Sequence, residues 1–222
     1  MAKKYEFTGD TKVVEGHTLH RIRAVIDLSD ACAGTVGGWI ESEGNLSHDG
    51  DAWVDDEAMV YGDAVVCDDA SVYGRSQVFG NARVNGHAWI CEDARVYGNA
   101  QVGDRAWVYG SAQVCDAIVG GDTRVRGNAR VWDNARVCDN AMGYGYAVVY
   151  GNAVVRGNAR VCGEAEVRDN AVVCDNARVC GEAEVRDNAR VCGDARVCGN
   201  ASVRGQAQVD GKTEVSGDSV VG

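Results

Sequence analysis

The hydrophobic positions of this chain recur every six residues from Ala52 almost to the C-terminus. Each unit has a small residue, a variable residue and then Val or another aliphatic residue, and it closes with a polar stretch that begins at Gly or Asp. The small and aliphatic residues lie two apart, so both point to the same side of a β-strand. Gly and Asp tolerate the left-handed backbone of a tight corner. Each unit therefore predicts one short strand and one corner.

A longer repeat groups these units in threes. The segment NARVCGEAEVRDNA occurs at 158–171 and again, unchanged, at 176–189. This offset of 18 residues predicts a coil of three strands and three corners, and the chain has room for about ten such coils. The spacing shortens to five once, between Val114 and Val119. Six-residue repeats of this kind are typical of a parallel β-helix with a triangular cross-section.

The chain divides into two regions. Residues 1–51 lack the repeat and cluster β-forming residues around Gly-Asp and Glu-Gly turns. They are expected to form a small β-rich N-terminal cap that covers the open edge of the first coil. Residues 52–222 are expected to form the β-helix, so the sequence predicts an all-β protein.

The net charge and the distribution of apolar residues limit which partners and which cellular location are expected. The net charge is −11, which disfavours nucleic acid as a partner. The N-terminus lacks the apolar core of a signal peptide, and no segment is long enough to cross a membrane. We therefore expect a cytoplasmic protein with no membrane partner, whose ten cysteines are thiols.

The outward residues fall onto three faces when they are sorted by the 18-residue coil. Face one contains Val54, face two Val60 and face three Val66. Outward aromatic residues lie on faces one and two, and none follows Tyr150. Stacked outward aromatics form a patch that suggests burial against a partner. The predicted interface residues are Trp53, Tyr61, Tyr73, Phe79, Trp89, Tyr97, Trp107, Tyr109, Trp132 and Tyr150.

Three interpretations of these aromatics remain open at this point. The favoured one is a homo-oligomer, a dimer or a trimer, that buries the aromatic faces. The second is a docking surface for a different protein. The third is stacking between coils that only stabilises the strands.

The C-terminal half carries a charged column on face two. Arg168, Arg186 and Arg204 follow the inward valines of successive coils and are a candidate anion-binding site. Glu166 and Glu184 precede the same valines, and the favoured interpretation is a ladder of individually weak ion pairs.

Cysteines form columns as well, of which Cys162, Cys180 and Cys198 on face one are an example. Adjacent coils are close enough for a disulfide, and aligned thiols also suit a soft metal ion. The favoured interpretation is a small outward residue copied with each coil, which leaves free thiols and predicts no metal site.

Catalytic candidates are few. His87 is the single histidine of the repeats and is expected at a corner. In the cap, His17 and His20 are interpreted as surface residues of a hairpin in preference to a metal-binding pair. Gly143 replaces an inward aliphatic residue, for which a local bulge is the favoured explanation. We therefore predict no catalytic residue and no cofactor.

Residues 33–54 carry the motifs AG-x-x-GGW and NLS-x-x-GDAW. They resemble the junction between head and helix in the YdcK-like β-helix proteins of bacteria and phages. The resemblance implies a left-handed β-helix and no established activity. The glycines of GGW are expected to form a tight junction, with Trp39 closing the end of the prism.

These observations favour a non-enzymatic structural or protein-interaction module that associates with itself through an aromatic-rich face. One alternative is an enzyme or small-molecule binder of the hexapeptide-transferase type, with a site between subunits. Such acyltransferases resemble one another in using a His as general base and in usually extruding a loop, which the repeats lack. Another alternative is a phage-encoded acidic inhibitor of a host protein.

Overall fold

A computed structural model describes residues 3–222, and nearly all of its regular structure is β-strand. Three longer strands come first: β1 (Tyr5–Val14), β2 (His17–Ala24) and β3 (Val36–Ile40), followed by a 3-10 turn at Glu43–Asn45. Every later strand has two or three residues and belongs to one of three sheets, which form the faces of a prism. None of the described residues forms a helix long and apolar enough to span a membrane.

The short strands alternate regularly among the three faces. Face one is a ten-stranded sheet of Trp53–Val54, Ser71–Val72, Trp89–Ile90, Trp107–Val108, Arg124–Val125, Met142–Gly143, Arg160–Val161, Arg178–Val179, Arg196–Val197 and Glu214–Val215. Face two continues the cap strands with Met59–Val60, Gln77–Val78, Arg95–Tyr97, Gln113–Cys115, Arg130–Val131, Val148–Val149, Glu166–Val167, Glu184–Val185, Ser202–Val203 and Val220–Val221. Face three has nine strands: Val65–Val66, Arg83–Val84, Gln101–Val102, Ile118–Val119, Arg136–Val137, Val154–Val155, Val172–Val173, Arg190–Val191 and Gln208–Val209.

Each six-residue unit forms the strand and corner that its pattern predicts. The small and aliphatic residues point inward, as Ala82 and Val84 do, and both are fully buried. The corner that follows has a positive φ at Gly or Asp, for example 75° at Gly110 and 56° at Asp104. Each buried Val contributes about 1.5–3 kcal/mol of hydrophobic stabilisation, and every coil depends on its neighbours for that burial.

The coil of three units is confirmed by the strand register. Trp89 pairs in parallel with Trp107, one coil later, and Val96 pairs with Val114. The prediction of an all-β parallel solenoid of about ten coils is confirmed. Its topology is consistent with the left-handed coil that the family resemblance implies.

A single side chain compensates for the shortened unit. Asp116 alone forms a corner that has two residues elsewhere in the repeat. Paired strands on either side of this corner are therefore 17 residues apart instead of 18, as Trp107 and Arg124 are. The Asn99 N–H donates to the Asp116 carboxylate at 2.7 Å, in place of the backbone carbonyl that such a group meets elsewhere. This hydrogen bond, with one from the Cys115 thiol, lowers the pKa of Asp116.

The cap merges into the first coil. Strands β1 and β2 form an antiparallel hairpin, and β3 pairs with β2 on one side and, in parallel, with Met59–Val60 on the other. Ile40 is thereby aligned with Val60, and Leu46 bridges to Val66. Both Ile40 and Leu46 are fully buried. The inward packing of the prism therefore begins within residues 1–51, before the repeat is recognisable in the sequence.

Two glycines allow the cap to pack closely against the first coil of the prism. A Cβ on Gly37 would lie 2.5 Å from the Trp53 ring, and one on Gly38 would lie 2.7 Å from the Val54 side chain. Neither approach leaves room for a larger residue. The expectation of a tight junction at these glycines is confirmed.

The expectation that Trp39 closes the end of the prism is wrong. Since Ile40 points inward and successive strand residues alternate, Trp39 points outward. Its indole N–H donates to Glu57 at 3.0 Å, and its ring lies beside the Lys12 and Arg21 cations, 4.3 and 4.9 Å from the ring centre.

Gly143 leaves a gap in the core without distorting the strand. It keeps the regular register with Val125 on one side and Val161 on the other, so the expected bulge is absent from the described chain. A Cβ added at Gly143 would have no atom within 4 Å. The missing side chain therefore leaves a small apolar void.

Candidate interaction surface on face one

The aromatic residues of face two stack on one another. The rings of Tyr61 and Phe79 lie 5.1 Å apart and those of Phe79 and Tyr97 lie 5.0 Å apart, each pair nearly parallel at 3°. The Arg95 guanidinium lies 5.2 Å from the Phe79 ring centre, and Arg130 lies over Trp132. Because their ring faces are already covered, these residues favour stacking between coils as the explanation for face two.

Two of the expected interface residues are not accessible. Trp53 and Tyr61 point out of the prism, as the repeat predicts, yet their exposed fractions are 1% and 2%. The cap covers both of them: Gly37 approaches the Trp53 ring, and the His17 ring lies 5.0 Å from that of Tyr61. The inclusion of these two residues in an exposed interface is therefore wrong.

Face one holds an exposed aromatic patch, formed by Tyr73, Trp89, Trp107 and Tyr109. The two tryptophan rings stack at 4.8 Å and 8°, and they remain 36% and 38% exposed. Tyr73 and Tyr109 meet them edge-on at 6.2 and 6.3 Å. The structure thus brings four of the ten predicted residues together here, and places Trp132 and Tyr150, half-buried, on face two.

The patch has an uncharged floor. Cys91 directly follows the strand Trp89–Ile90, in the outward column between Tyr73 and Tyr109, and burial raises the pKa of its thiol. Burial also raises the pKa of Tyr73, with a further contribution from the Cys91 hydrogen bond. Both groups therefore stay protonated at neutral pH, so the aromatic patch itself carries no charge.

An acidic cleft adjoins the patch at its N-terminal end. Asp30, from the cap, accepts a hydrogen bond from the Ser71 hydroxyl. Together with Asp55 and Asp56 it lines a cleft of about 230 Å³, whose remaining walls include Tyr73 and Trp89. The repeat places Asp55 on face one, but Asp30 lies outside the repeat, and no periodicity in the sequence indicates which face it joins.

The opposite end of face one is basic. Arg160, Arg178 and Arg196 lie in register on successive coils and line an open groove of about 510 Å³ with Lys212. Within residues 3–222, none of these three arginines forms an ion pair. Asp194 and Glu214 line the same groove, so it is not uniformly positive.

The arginine column proposed from the sequence has a different environment. Arg168 lies 3.5 Å from Glu184, and Arg186 also lies 3.5 Å from Glu184. Arg168 lies within 3.9 Å of Glu166 as well. This arrangement matches the ion-pair ladder and leaves Arg204 as the exposed member of the predicted anion-binding column.

The cysteine columns form disulfides in the C-terminal half, so the expectation of free thiols throughout is wrong. Cys174 is bonded to Cys192, and Cys180 to Cys198. In-register pairing places the Cα atoms of each pair 4.7 Å apart, within the range that a disulfide spans. Cys162 and five other cysteines remain free.

The histidines do not converge on one another. His17 Nδ1 lies 2.9 Å from the Glu41 carboxylate, which also accepts from the Gly62 N–H. These two hydrogen bonds lower the pKa of Glu41. His20 lies three residues along β2, on its other side, so the two histidines form no metal-binding pair. His87 is exposed at a corner, 3.5 Å from Asp69.

Comparison with known proteins finds similarity over part of the repeat region. The family model described as the YdcK beta solenoid repeat matches residues 76–92 and 100–127. A protein of Escherichia coli (strain K12) described as the uncharacterized acetyltransferase YdcK is 39% identical over 62 residues, which are 28% of this chain and 18% of that protein's length. A UDP-N-acetylglucosamine acyltransferase from Campylobacter jejuni superposes with a TM-score of 0.40 and 15% identity, over 77% of this chain and 68% of its own. The chain is thus similar to YdcK-like β-solenoid repeats over these segments, and it spans less than one fifth of the length of the E. coli relative.

Proposed function

We propose that the protein is a non-catalytic, rigid interaction module that associates with a second copy of itself through the aromatic patch of face one. The stacked pair of Trp89 and Trp107 carries this proposal, because each of these residues stays more than one third exposed in the single chain. Tryptophan is enriched among the residues that dominate binding energy at protein interfaces. Two adjacent exposed tryptophans therefore mark the centre of a contact.

The other two faces support the choice of face one. On face two the aromatic rings cover one another, and arginines cover Phe79 and Trp132. Face three carries no outward aromatic residue. Face one is therefore the face on which a partner would remove the most aromatic surface from water.

The backbone favours association of this kind. Each strand of face one is hydrogen-bonded to its neighbours, as Trp89 N–H is to Ala106 O at 2.9 Å. The backbone of such a sheet is ordered before a partner arrives, so little backbone conformational entropy is lost on binding. A rigid flat face is suited to contact with another rigid flat face.

The test is the mass in solution of a Trp89→Glu and Trp107→Glu double variant. Burying two carboxylates in place of two indoles is expected to weaken association more than about hundredfold, so the variant should be monomeric. The matched control is Gln101→Glu and Ile118→Glu, which introduces the same charges on adjacent strands of face three. A wild type that is itself monomeric, or a tryptophan variant of unchanged mass, would refute the proposal.

Acyl transfer is a second candidate, favoured by the His17–Glu41 pair and by the description of the E. coli relative as an uncharacterized acetyltransferase. A carboxylate that orients an imidazole is the arrangement of a general base. Acetyl-CoA is then expected to raise the melting temperature of the wild type and of His20→Gln. His17→Gln should show no transfer activity. An unchanged melting temperature together with no release of CoA thiol contradicts acyl transfer.

A further inference from the structure

Face one is electrically asymmetric along its length. Asp30, Asp55 and Asp56 surround its N-terminal end beside the tryptophans, whereas Arg160, Arg178 and Arg196 occupy successive coils towards its C-terminal end. The three arginines make no ion pair among the described residues, and each lies in register with a like charge on the neighbouring coil. A column of unpaired like charges is stabilised by an anionic or aromatic surface laid against it.

We propose that the partner of face one is a second copy of this chain lying antiparallel to the first, with the arginine column of each copy against the tryptophans and acids of the other. This inference rests on the proposed self-association and specifies its geometry. The carrying observation is that both halves of the contact are present on one face of one chain.

The strand order supplies the register. Trp89 and Trp107 lie on the third and fourth strands of face one from its N-terminal end. Arg178 and Arg160 lie on the third and fourth strands from its C-terminal end. A two-fold axis through the middle of this ten-stranded sheet therefore places Arg178 opposite Trp89 and Arg160 opposite Trp107.

The same axis matches the flanking charges. Arg196, on the second strand from the C-terminal end, is placed opposite Ser71, whose hydroxyl is hydrogen-bonded to Asp30. At the outermost strands Glu214 is placed towards Asp55, but Lys212 lines the groove beside Glu214 and offsets that pairing. The spacing between coils is the same in both copies, so the pairings of Arg160, Arg178 and Arg196 are satisfied together.

An antiparallel contact is favoured over a parallel one by electrostatics. A parallel pair of faces would set the arginines of one copy against those of the other, and acids against acids. Arginine over tryptophan is already found within the chain, where the Arg124 guanidinium lies 5.7 Å from the Trp107 ring centre. Face one is about 45 Å long and about 13 Å wide. With the cap, which covers Trp53 and Ser71 at the N-terminal end of each face, counted as part of the contact, two copies would then bury about 1,200 Å² in total, enough for a specific interface.

The test exchanges charges between the two ends. The first variant carries Arg178→Glu and Arg196→Glu, and the second carries Asp30→Arg, because the register brings the arginine column against Asp30 beside Ser71. Each alone would oppose like charges at both ends of the dimer, so each is expected to be monomeric, with a Kd raised more than about hundredfold. An equimolar mixture restores opposite charges at both ends and should regain the dimer mass. Arg136→Glu with Arg190→Glu, on face three, is the matched control and should remain dimeric.

The outcomes separate this inference from the proposed function. If the wild type dimerises through the tryptophans but both charge variants keep its mass, self-association stands and the antiparallel geometry is overturned. The same holds if the folded variants are monomeric and their mixture stays monomeric, or if the wild type is a trimer. A monomeric wild type overturns both proposals. Circular dichroism and melting temperature establish that each variant is folded.

Discussion

At the scale of single residues, Lys4 illustrates how the cap is tied to the first coil. Its ammonium is buried and donates to the Ala52 carbonyl at 2.7 Å and to the Gly50 carbonyl at 3.3 Å. Desolvation lowers the pKa of Lys4 to about 8, while the charge of Asp51 acts in the opposite direction. In the unfolded chain the pKa returns to 10.5, so between these values the unfolded state binds more protons than the folded state.

The free energy of unfolding should therefore rise with pH between about 8 and 10.5, and Lys4→Met should remove this rise. The full effect is at most about 3 kcal/mol, from a pKa difference of 10.5 − 8 = 2.5 units. Urea unfolding of wild type and variant at several pH values measures it, because the difference between the two curves cancels the other titrating groups. Lys212→Met, at the far end of the chain, is the control. Parallel curves for wild type and Lys4→Met would contradict this account.

At the scale of the strand, the repeat determines structure so strongly that even a glycine does not disturb it. The pattern correctly predicts that Gly143 occupies an inward position, but it also suggests a bulge. The neighbouring strands hold Gly143 in register through hydrogen bonds that do not depend on its side chain, such as the one from Arg126 N–H to Gly143 O at 2.9 Å. The loss is therefore one of packing alone, and a void replaces the missing side chain.

Filling that void should stabilise the protein. Gly143→Val is expected to raise the free energy of unfolding by about 1–2 kcal/mol, through buried apolar surface and lower entropy of the unfolded chain. Gly143→Ala should give a smaller gain in the same direction. Gly120→Val, at an outward position beside Val119, separates β-propensity from void filling and should give less. Urea denaturation provides the measurement, and an unchanged or lower midpoint for Gly143→Val would exclude an accommodating void.

The cap shows where prediction from sequence ends at this scale. Its β-rich character follows from composition, but its attachment to face one does not, because Asp30 reaches Ser71 across 41 residues of chain without any repeat to set the register. The orientation of Trp39 was available in principle: once Ile40 is assigned to the core, alternation places Trp39 outside. That assignment required the pairing of Ile40 with Val60, which lies outside the recognisable repeat.

At the scale of the whole molecule, the sequence predicts the prism because each repeat can bury its valine only against the next coil. It also assigns the outward residues correctly to faces, so the tryptophan and arginine columns are visible in the sequence. What the sequence does not reveal is which outward residues the cap covers. Trp53 and Trp89 occupy equivalent positions two coils apart, and only the folded cap makes one buried and the other exposed.

Two disulfides cross-link C-terminal coils of the solenoid. Val215 is slightly exposed and Val220 is largely exposed, so unfolding is expected to start here. Each disulfide joins neighbouring coils 18 residues apart, which corresponds to about 3 kcal/mol in a chain-entropy model. Titration of the denatured, unreduced protein should find six thiols, and ten after reduction.

Reduction should also lower the melting temperature by at least about 4 °C, because the cross-linked coils lose a constraint that their thin core does not replace. A variant with Cys174→Ser and Cys180→Ser should already melt at the lower temperature and should not respond to reductant. Comparison of this variant with the wild type separates the effect of the two disulfides from any effect of the reductant on the six free thiols. Ten thiols in the unreduced protein would show that the stacked cysteines remain unbonded, and these C-terminal coils would then depend on packing between coils alone.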